Sequence, residues 1–324
     1  MRLKYYIEGV SKYLTALNKL SSLTNINRFY LYLDCLWSRI RYGCVLNHYI
    51  DGRFYLRKSF ERKRIVTYRT WNKLLTYNDA HHTHLLKNKN DFNQFFSEYI
   101  GREWLYVKNV DYLTYKDFFC KHQVIFIKPF NGWEGEGCRK LEYNEENCSK
   151  ETFDKLNKEN CIIEEVVIQH PSMVFNNKAV NTIRVYTIYD SVKNSAYCIK
   201  TVLRAGVGDN IVDNSHSGGV TYQIDLSTGF IVSKGWRNGQ AERLIIHPKT
   251  DICMLGYKIP YYQQVKTLCC QAASKIPQVR FIGWDVAITN KGPILIEGNH
   301  DPDIDVMEFV GDYGYKTTIF NHLN

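Results

Sequence analysis

The stretch Ile282 to Asn299, reading IGWDVAITNKGPILIEGN, constrains this chain more than any other, because its alternation spells a β-hairpin with one acidic face. Apolar residues alternate on both arms, and Asn290, Lys291 and Gly292 supply a three-residue turn with glycine at the left-handed position such turns need. With Thr289 opposite Pro293, Asp285 falls opposite Glu297. Asn299 follows on the same face, while Trp284, Val286, Ile294 and Ile296 point the other way. Two carboxylates and an amide at cross-strand distance suit the hard, octahedral ion Mg²⁺ better than a soft metal. A hairpin with one face in water also carries polar residues there, so the segment alone leaves both readings standing.

A chain of 324 residues with 44% apolar and 14% aromatic residues is long enough to bury a sizeable core in one large or two to three modest domains. No apolar run approaches the length of a membrane span, and MRLKYYIEGV lacks the apolar core and cleavage site of a signal peptide, so the expected location is cytoplasmic. Ten cysteines without a C-x-x-C pair predict reduced structural thiols rather than zinc or disulfides. His81, His82 and His84 lack further ligands at metal spacing and read as a solvated loop. Charge is unevenly spread: of a formal +9, residues 1–75 carry +11, with 15 Lys/Arg against 4 Asp/Glu. Such a region suits an acidic partner, whether glycan, lipid phosphate, membrane surface or nucleic acid, and a solvated basic helical face reads the same way.

Residues 3–20 and 27–42 predict helices, the first amphipathic, and packing against a neighbour explains their apolar stripes more simply than membrane binding. Arg53 to Lys73 follows without a strand pattern. Beyond residue 76 the expected elements are a helix near 90–99, strands at 124–127, 162–168, 183–188, 197–204 and 220–224, a helix near 261–275 and the terminal hairpin, hence an α+β fold. There is no internal repeat or long linker.

Between two strand-like runs, FIKPFNGWEGEGCRKLEY places Gly132, Gly135 and Gly137 in a flap where backbone N–H groups can approach an anion, with Lys128 on the incoming strand as a point charge. The spacing is neither that of a Walker loop nor, lacking a following helix, that of a Rossmann site; Glu134 and Glu136 are unusual beside phosphates. IIEEVVIQHP, from Ile162, can line a nucleotide base with strand-edge amides and ribose hydroxyls with a carboxylate, or be a plain buried strand. Asn181 to Arg184, then Lys200, Arg204, Asp213, Asn214, Gly218 and Gly219, form a basic-polar succession, and guanidinium groups suit a transferring phosphoryl group or a carboxylate. Aromatics do not cluster in a nucleic-acid-reading motif.

In this order the chain resembles the ATP-grasp superfamily, and within it the sugar-transfer-associated group, through NTIR at 181–184, RAGVGD at 204–209, GWD at 283–285 and IEGN at 296–299, over roughly residues 30–310. The resemblance implies an ATP-grasp fold: a basic helical region 1–75, a small subdomain with the flap at 76–165 and a large subdomain with the hairpin at 166–324. It implies ATP and Mg²⁺ as cofactors, Lys128 on the phosphates, residues 132–137 as the flap, Glu164, Glu165 and Val167 at adenine or ribose, and Asp285, Glu297 and Asn299 on Mg²⁺. Lys89 matches the earlier ATP lysine, with Lys87 close by; Arg184, Arg204 and Lys200 are the candidate catalytic cations. HDPDID at 300–305 departs from the family's Pro-Gly and leaves the acceptor contacts open. The implied activity is a carboxylate–amine ligase working through an acyl phosphate on an acidic sugar or polysaccharide precursor. An ATP-grasp kinase phosphorylating a sugar hydroxyl, or a non-catalytic nucleotide-binding module recruiting glycosyltransferases, are the alternatives, and the basic N-terminal region is expected to reach a membrane surface, at its inner face, or a glycosyltransferase.

Overall fold

Helices dominate the first hundred residues, where apolar side chains recur at three- and four-residue spacing. The computed structural model describes residues 2–130, 136–175, 179–207, 218–238 and 243–323, with side chains from residue 11 onward. Helices α1 (Arg2–Thr24) and α2 (Arg28–Tyr42) run antiparallel, Tyr13 meeting Cys35 and Asn18 meeting Tyr32 across the pair. Asn27 caps α2 by accepting the N–H groups of Phe29 and Tyr30, and Gly43, at φ +71°, ends it where a Cβ would strike Arg69. Helix α3 (Leu46–Asp51) precedes the patternless basic segment, which folds as a 3-10 turn at Phe54–Leu56 and two short helices, α4 (Ser59–Arg64) and α5 (Tyr68–Leu75). Leu17, Leu31, Tyr49 and Phe54 of this region share one core with Val202, Trp236 and Phe309.

The helix expected near 90–99 is broken: α6 (His84–Lys87), α7 (Lys89–Phe95) and α8 (Ser97–Ile100) pack Leu86, Phe92 and Phe96 against Trp284 and Leu295. A four-stranded sheet follows. It comprises β1 (Trp104–Tyr106), β2 (Val124–Pro129), β3 (Arg139–Glu142) and β4 (Cys161–Glu165), antiparallel in the order β1-β4-β2-β3. Two helices absent from the sequence expectations, α9 (Tyr112–His122) and α10 (Lys150–Glu159), cover it with Tyr115, Phe119, Phe153 and Leu156.

The larger sheet comprises β5 (Thr182–Asp190), β6 (Ser195–Ala205), β7 (Val220–Ile224), β8 (Phe281–Thr289) and β9 (Gly292–Asn299), in the order β7-β6-β5-β8-β9 with every neighbour antiparallel. Helix α11 (Tyr262–Lys275) packs Val265, Cys269 and Ala272 into its core, and α12 (Ile304–Phe309) and α13 (Lys316–Leu323) close the chain. Among the described residues no helix is long and apolar enough to cross a membrane, and all ten cysteines are free thiols.

The hairpin reaches the expected Asp285↔Glu297 pair by a different route. Thr289 pairs with Gly292 and Ile288 with Pro293, a turn one residue tighter than the spacing suggested. A bulge then absorbs Ile296, since Val286 pairs with Leu295 and Asp285 with Glu297. In consequence Leu295, rather than Ile294 and Ile296, joins Trp284 and Val286 in the core.

Candidate active site

The large sheet turns one face to the core and sets charge on the other. Thr182 pairs with Arg204 and Arg184 with Asp285, so period-two alternation puts these residues on one side while Ile183, Val185 and Leu203 face the core. Asp285 is buried, and Arg184 grips it with Nε at 2.5 Å and Nη2 at 3.0 Å; Arg204 Nη2 adds a third bond at 2.8 Å. Burial opposes its charge, yet the two guanidinium groups hold the carboxyl well below the usual carboxylate range. Glu297 hydrogen-bonds Asp285 from across the ladder. Crowding at the cleft floor and the adjacent Asp285 charge push it up, although one side of it is open to solvent. The two carboxyls of the pair are thus shifted in opposite directions, Asp285 down and Glu297 up. Asn299 Nδ2 lies 3.4 Å from Glu297 Oε1.

This donor set fits a divalent, oxygen-seeking cation: two carboxyls paired across the ladder and an amide beside them offer hard oxygens, with Glu297 and Asn299 on the accessible side. Asp285 has the least room, because both its oxygens already accept from arginine.

The small sheet supplies the other wall. Lys128 Nζ lies 2.7 Å from Glu164, and Lys89 Nζ donates to the Phe130 carbonyl at 3.2 Å. Burial lowers Lys89, with Glu297 opposing that shift and Lys128 adding to it. Cys138 feels Lys128, Lys89, Glu164 and Glu297. The two walls thus meet around Lys89, Lys128 and Glu297. Lys87, the neighbouring candidate, is exposed and sits near His300 instead.

Geometry corrects two expected roles, those of Glu164 and Lys200. Glu164 is not presented to a base or ribose: it is buried, forked by Arg102, and bonded to Asn93 at 3.1 Å. Arg102 and Lys128 outweigh its burial and keep it far below the ordinary glutamate range. Glu165 accepts the Glu103 N–H at 3.1 Å, and half-buried Val167 lies in the short link from β4 to the large sheet, which is met where His170 N bonds the Ile288 carbonyl. Lys200 is not in the cleft. It is 1% exposed, and its ammonium donates to the carbonyls of Val310 and Asp312 over the Tyr315 ring, which makes it a tie for the C-terminal segment. Gly132, Gly135, Asp213 and Asn214 lie outside the described residues, whereas Gly137 adopts φ +73° against Pro129. Asn181 is a buried knot, its amide reaching the Met173 carbonyl and its oxygen the Gly206 N–H.

Two features escaped the sequence. Arg102 links Glu164 to the carbonyls of Leu295 and Ile296 at the hairpin bulge, and it sits in a turn with no periodic pattern to mark it. Beside it, Gly101 at φ +55° passes so close to Ile294 that a Cβ would lie 2.4 Å from its methyl. The divergent segment 300–305 is seated by the N-terminal region: Trp71 Nε1 donates to the Pro302 carbonyl, Asn78 to the His300 carbonyl, and His48 meets Asp305 at 2.9 Å. Tyr186, one step along β5 from Arg184, bonds the Asp303 carbonyl.

A family model described as sugar-transfer associated ATP-grasp matches residues 72–322. No curated protein matches the chain. Among solved structures, ATP-grasp ligase PsnB complexed with precursor peptide PsnA2 and AMPPNP matches at 13% identity over 70% of this chain and 54% of that one, with a TM-score of 0.42. The ADP complex of purK, N5-carboxyaminoimidazole ribonucleotide synthetase, matches at 12% over 74% and 52%, with a TM-score of 0.44. D-alanyl-alanine synthetase A from Vibrio cholerae O1 biovar eltor matches at 13% over 74% and 66%, with a TM-score of 0.43. The chain thus spans from 52% to 66% of the length of these three structures.

Proposed function

The chain belongs to the sugar-transfer associated ATP-grasp family, and on that premise we propose that it is a Mg-ATP-dependent carboxylate–amine ligase that modifies a cell-surface polysaccharide or its acidic sugar precursor. The observation that carries the reading is the meeting of Lys89 and Lys128 with Glu297, which is hydrogen-bonded to Asp285. Two cations for phosphates thereby face oxygen donors for a metal across one cleft.

In this reading the substrate carboxylate attacks the γ-phosphorus, ADP departs, and an amine displaces phosphate from the acyl phosphate. Mg²⁺ held by Asp285, Glu297 and Asn299 would supply charge neutralisation for the phosphates. Lys89 and Lys128 bind phosphate oxygens. Arg184, buried and bidentate, positions Asp285, and Arg204 at the margin neutralises the transferring group. The proposed division is a helical region 1–75, a small subdomain 76–165 and a large one 166–324, with 84–100 packed on the large sheet. Residues 1–71 lie outside the family match and are assigned to contact with a membrane surface or a glycosyltransferase.

Incubating the chain with Mg-ATP, a panel of uronic acids and a panel of amines tests the reading. ADP and phosphate should form only when both partners are present, and hydroxylamine should trap a hydroxamate from the carboxylate alone. Phosphate retained on a sugar product would assign kinase chemistry instead.

A further inference from the structure

Helix α2 is apolar on the side turned away from the protein. Leu31, Cys35 and Ser38 face inward. At about 100° per residue, the opposite arc holds Phe29, Leu33, Leu36, Trp37 and Ile40, all exposed, from 52% at Leu36 to 70% at Leu33. A surface helix ordinarily reverses this arrangement. Exposed Arg28 and Arg39 run along one margin of the apolar arc and exposed Arg41 along the other, with the Arg28 guanidinium 5.1 Å from the Phe29 ring centroid. The helix's one acid, Asp34, turns inward to Arg62 at 2.6 Å and Tyr49 at 2.7 Å. At the helix end, Ser59 bonds Tyr42 and Arg69 bonds the Ile40 carbonyl, and their sequence neighbours Phe60 and Tyr68 are exposed as well.

We propose that this face docks the protein on an anionic phospholipid surface, α2 lying in the interfacial plane with its apolar arc among the acyl chains and its arginines at the phosphates. The placement rests on the partner role given to the N-terminal region and not on the ligase chemistry. Charge selects the occupant. Residues 1–75 carry +11, so a second copy on this face would set two such regions against each other, whereas anionic lipid complements them. Contact is peripheral, because no described helix can span a membrane. Helix α1 is already committed, Leu17 and Leu20 being in the core beneath α2.

Cosedimentation of the full chain with vesicles tests this without nucleotide, so its outcome is separate from that of the ligase assay. Vesicles of phosphatidylcholine with roughly one-third phosphatidylglycerol should bind the chain and lose it at high salt, and pure phosphatidylcholine should bind far less. Leu33→Ser/Ile40→Ser should lower binding at least about tenfold, and Arg39→Gln/Arg41→Gln about tenfold, with circular dichroism and melting temperature unchanged. As a check that needs no destabilising change, the vesicle-induced blue shift of tryptophan emission should disappear in Trp37→Phe. The proposal is overturned if the wild type ignores anionic vesicles, or if the variants bind as it does. A dimer in sedimentation velocity that Leu33→Ser/Ile40→Ser dissociates would give the face to a second copy, and salt-insensitive capture by an acidic protein with no lipid binding would give it to a protein partner.

Discussion

Arg102 holds Glu164 with Nε at 2.9 Å and Nη2 at 3.1 Å while its Nη1 bonds the Leu295 carbonyl at 2.6 Å, so one buried guanidinium joins the small sheet to the hairpin bulge beside Glu297. Arg102→Met removes one partner of a buried pair and frees three carbonyls, those of Ile100, Leu295 and Ile296. The expected loss is about 3–5 kcal/mol in chemical denaturation. Arg102→Lys keeps the charge without the fork and should fall between the two.

Glu164 makes stability depend on acid. Its folded pKa is depressed by Arg102 and Lys128 against the pull of burial, so between that value and the ordinary glutamate value the unfolded chain binds more protons than the folded one. Its contribution is therefore complete above a pH of about 4.3 and is lost as pH falls below it. Denaturation midpoints of the wild type and Glu164→Gln, compared from neutral pH downward, should converge in that acid range. A constant gap would show that Glu164 is not ionised in the fold.

The hairpin was legible in the sequence because it is a regular element. Alternation placed Asp285 and Glu297 on one face, and that face survives even though the turn is a residue shorter, because the bulge at Ile296 restores the pairing; Arg184 joins it only through the pairing of β5 with β8. What could not be read depends on contacts between distant segments. Lys200 lies on the same strand as Arg204 and carries the same charge, but the Val310 and Asp312 carbonyls that bury it lie more than a hundred residues away. Glu164 reads as a strand-edge carboxylate until Arg102, sixty-two residues earlier, is seen to enclose it. The apolar outer arc of α2 was in the sequence, yet period alone cannot say which of two apolar faces meets the core.

The carboxyl pair separates metal binding from folding. Glu297→Gln can still donate to Asp285 but cannot take the charge a metal requires, so ADP release should drop at least about a hundredfold, with a higher Mg²⁺ requirement and an unchanged melt. Asp285→Asn removes the counter-charge of buried Arg184 and Arg204, and should lower the melting temperature as well as turnover. Equal effects of the two variants on stability would contradict the arrangement.

Cys138 offers a reporter for the cleft. Its half-buried thiol lies among Lys89, Lys128, Glu164 and Glu297, and burial raises it, so alkylation should be slow but measurable. Mg-ATP should protect Cys138 and leave exposed Cys120 and Cys253 reactive when labelling is followed by peptide mass spectrometry. Labelling of Cys138 that ignores nucleotide would place the nucleotide elsewhere.

Lys200 tests the boundary between site and scaffold. Its ammonium is enclosed, and burial pushes it down, with Glu308 and Asp312 partly opposing. Between that lowered value and the ordinary lysine value of about 10.4, the unfolded chain binds more protons, so this group's contribution to stability rises with pH. Buried tyrosines whose pKa values are raised, Tyr186 and Tyr315 among them, act in the opposite sense, which is why a difference is needed. The stability of the wild type minus that of Lys200→Met should increase from neutral pH toward the alkaline range. Turnover per folded molecule should stay within about twofold of wild type, well short of the tenfold or more expected of a group acting in the transition state. A large fall in kcat at unchanged stability would return Lys200 to the chemistry.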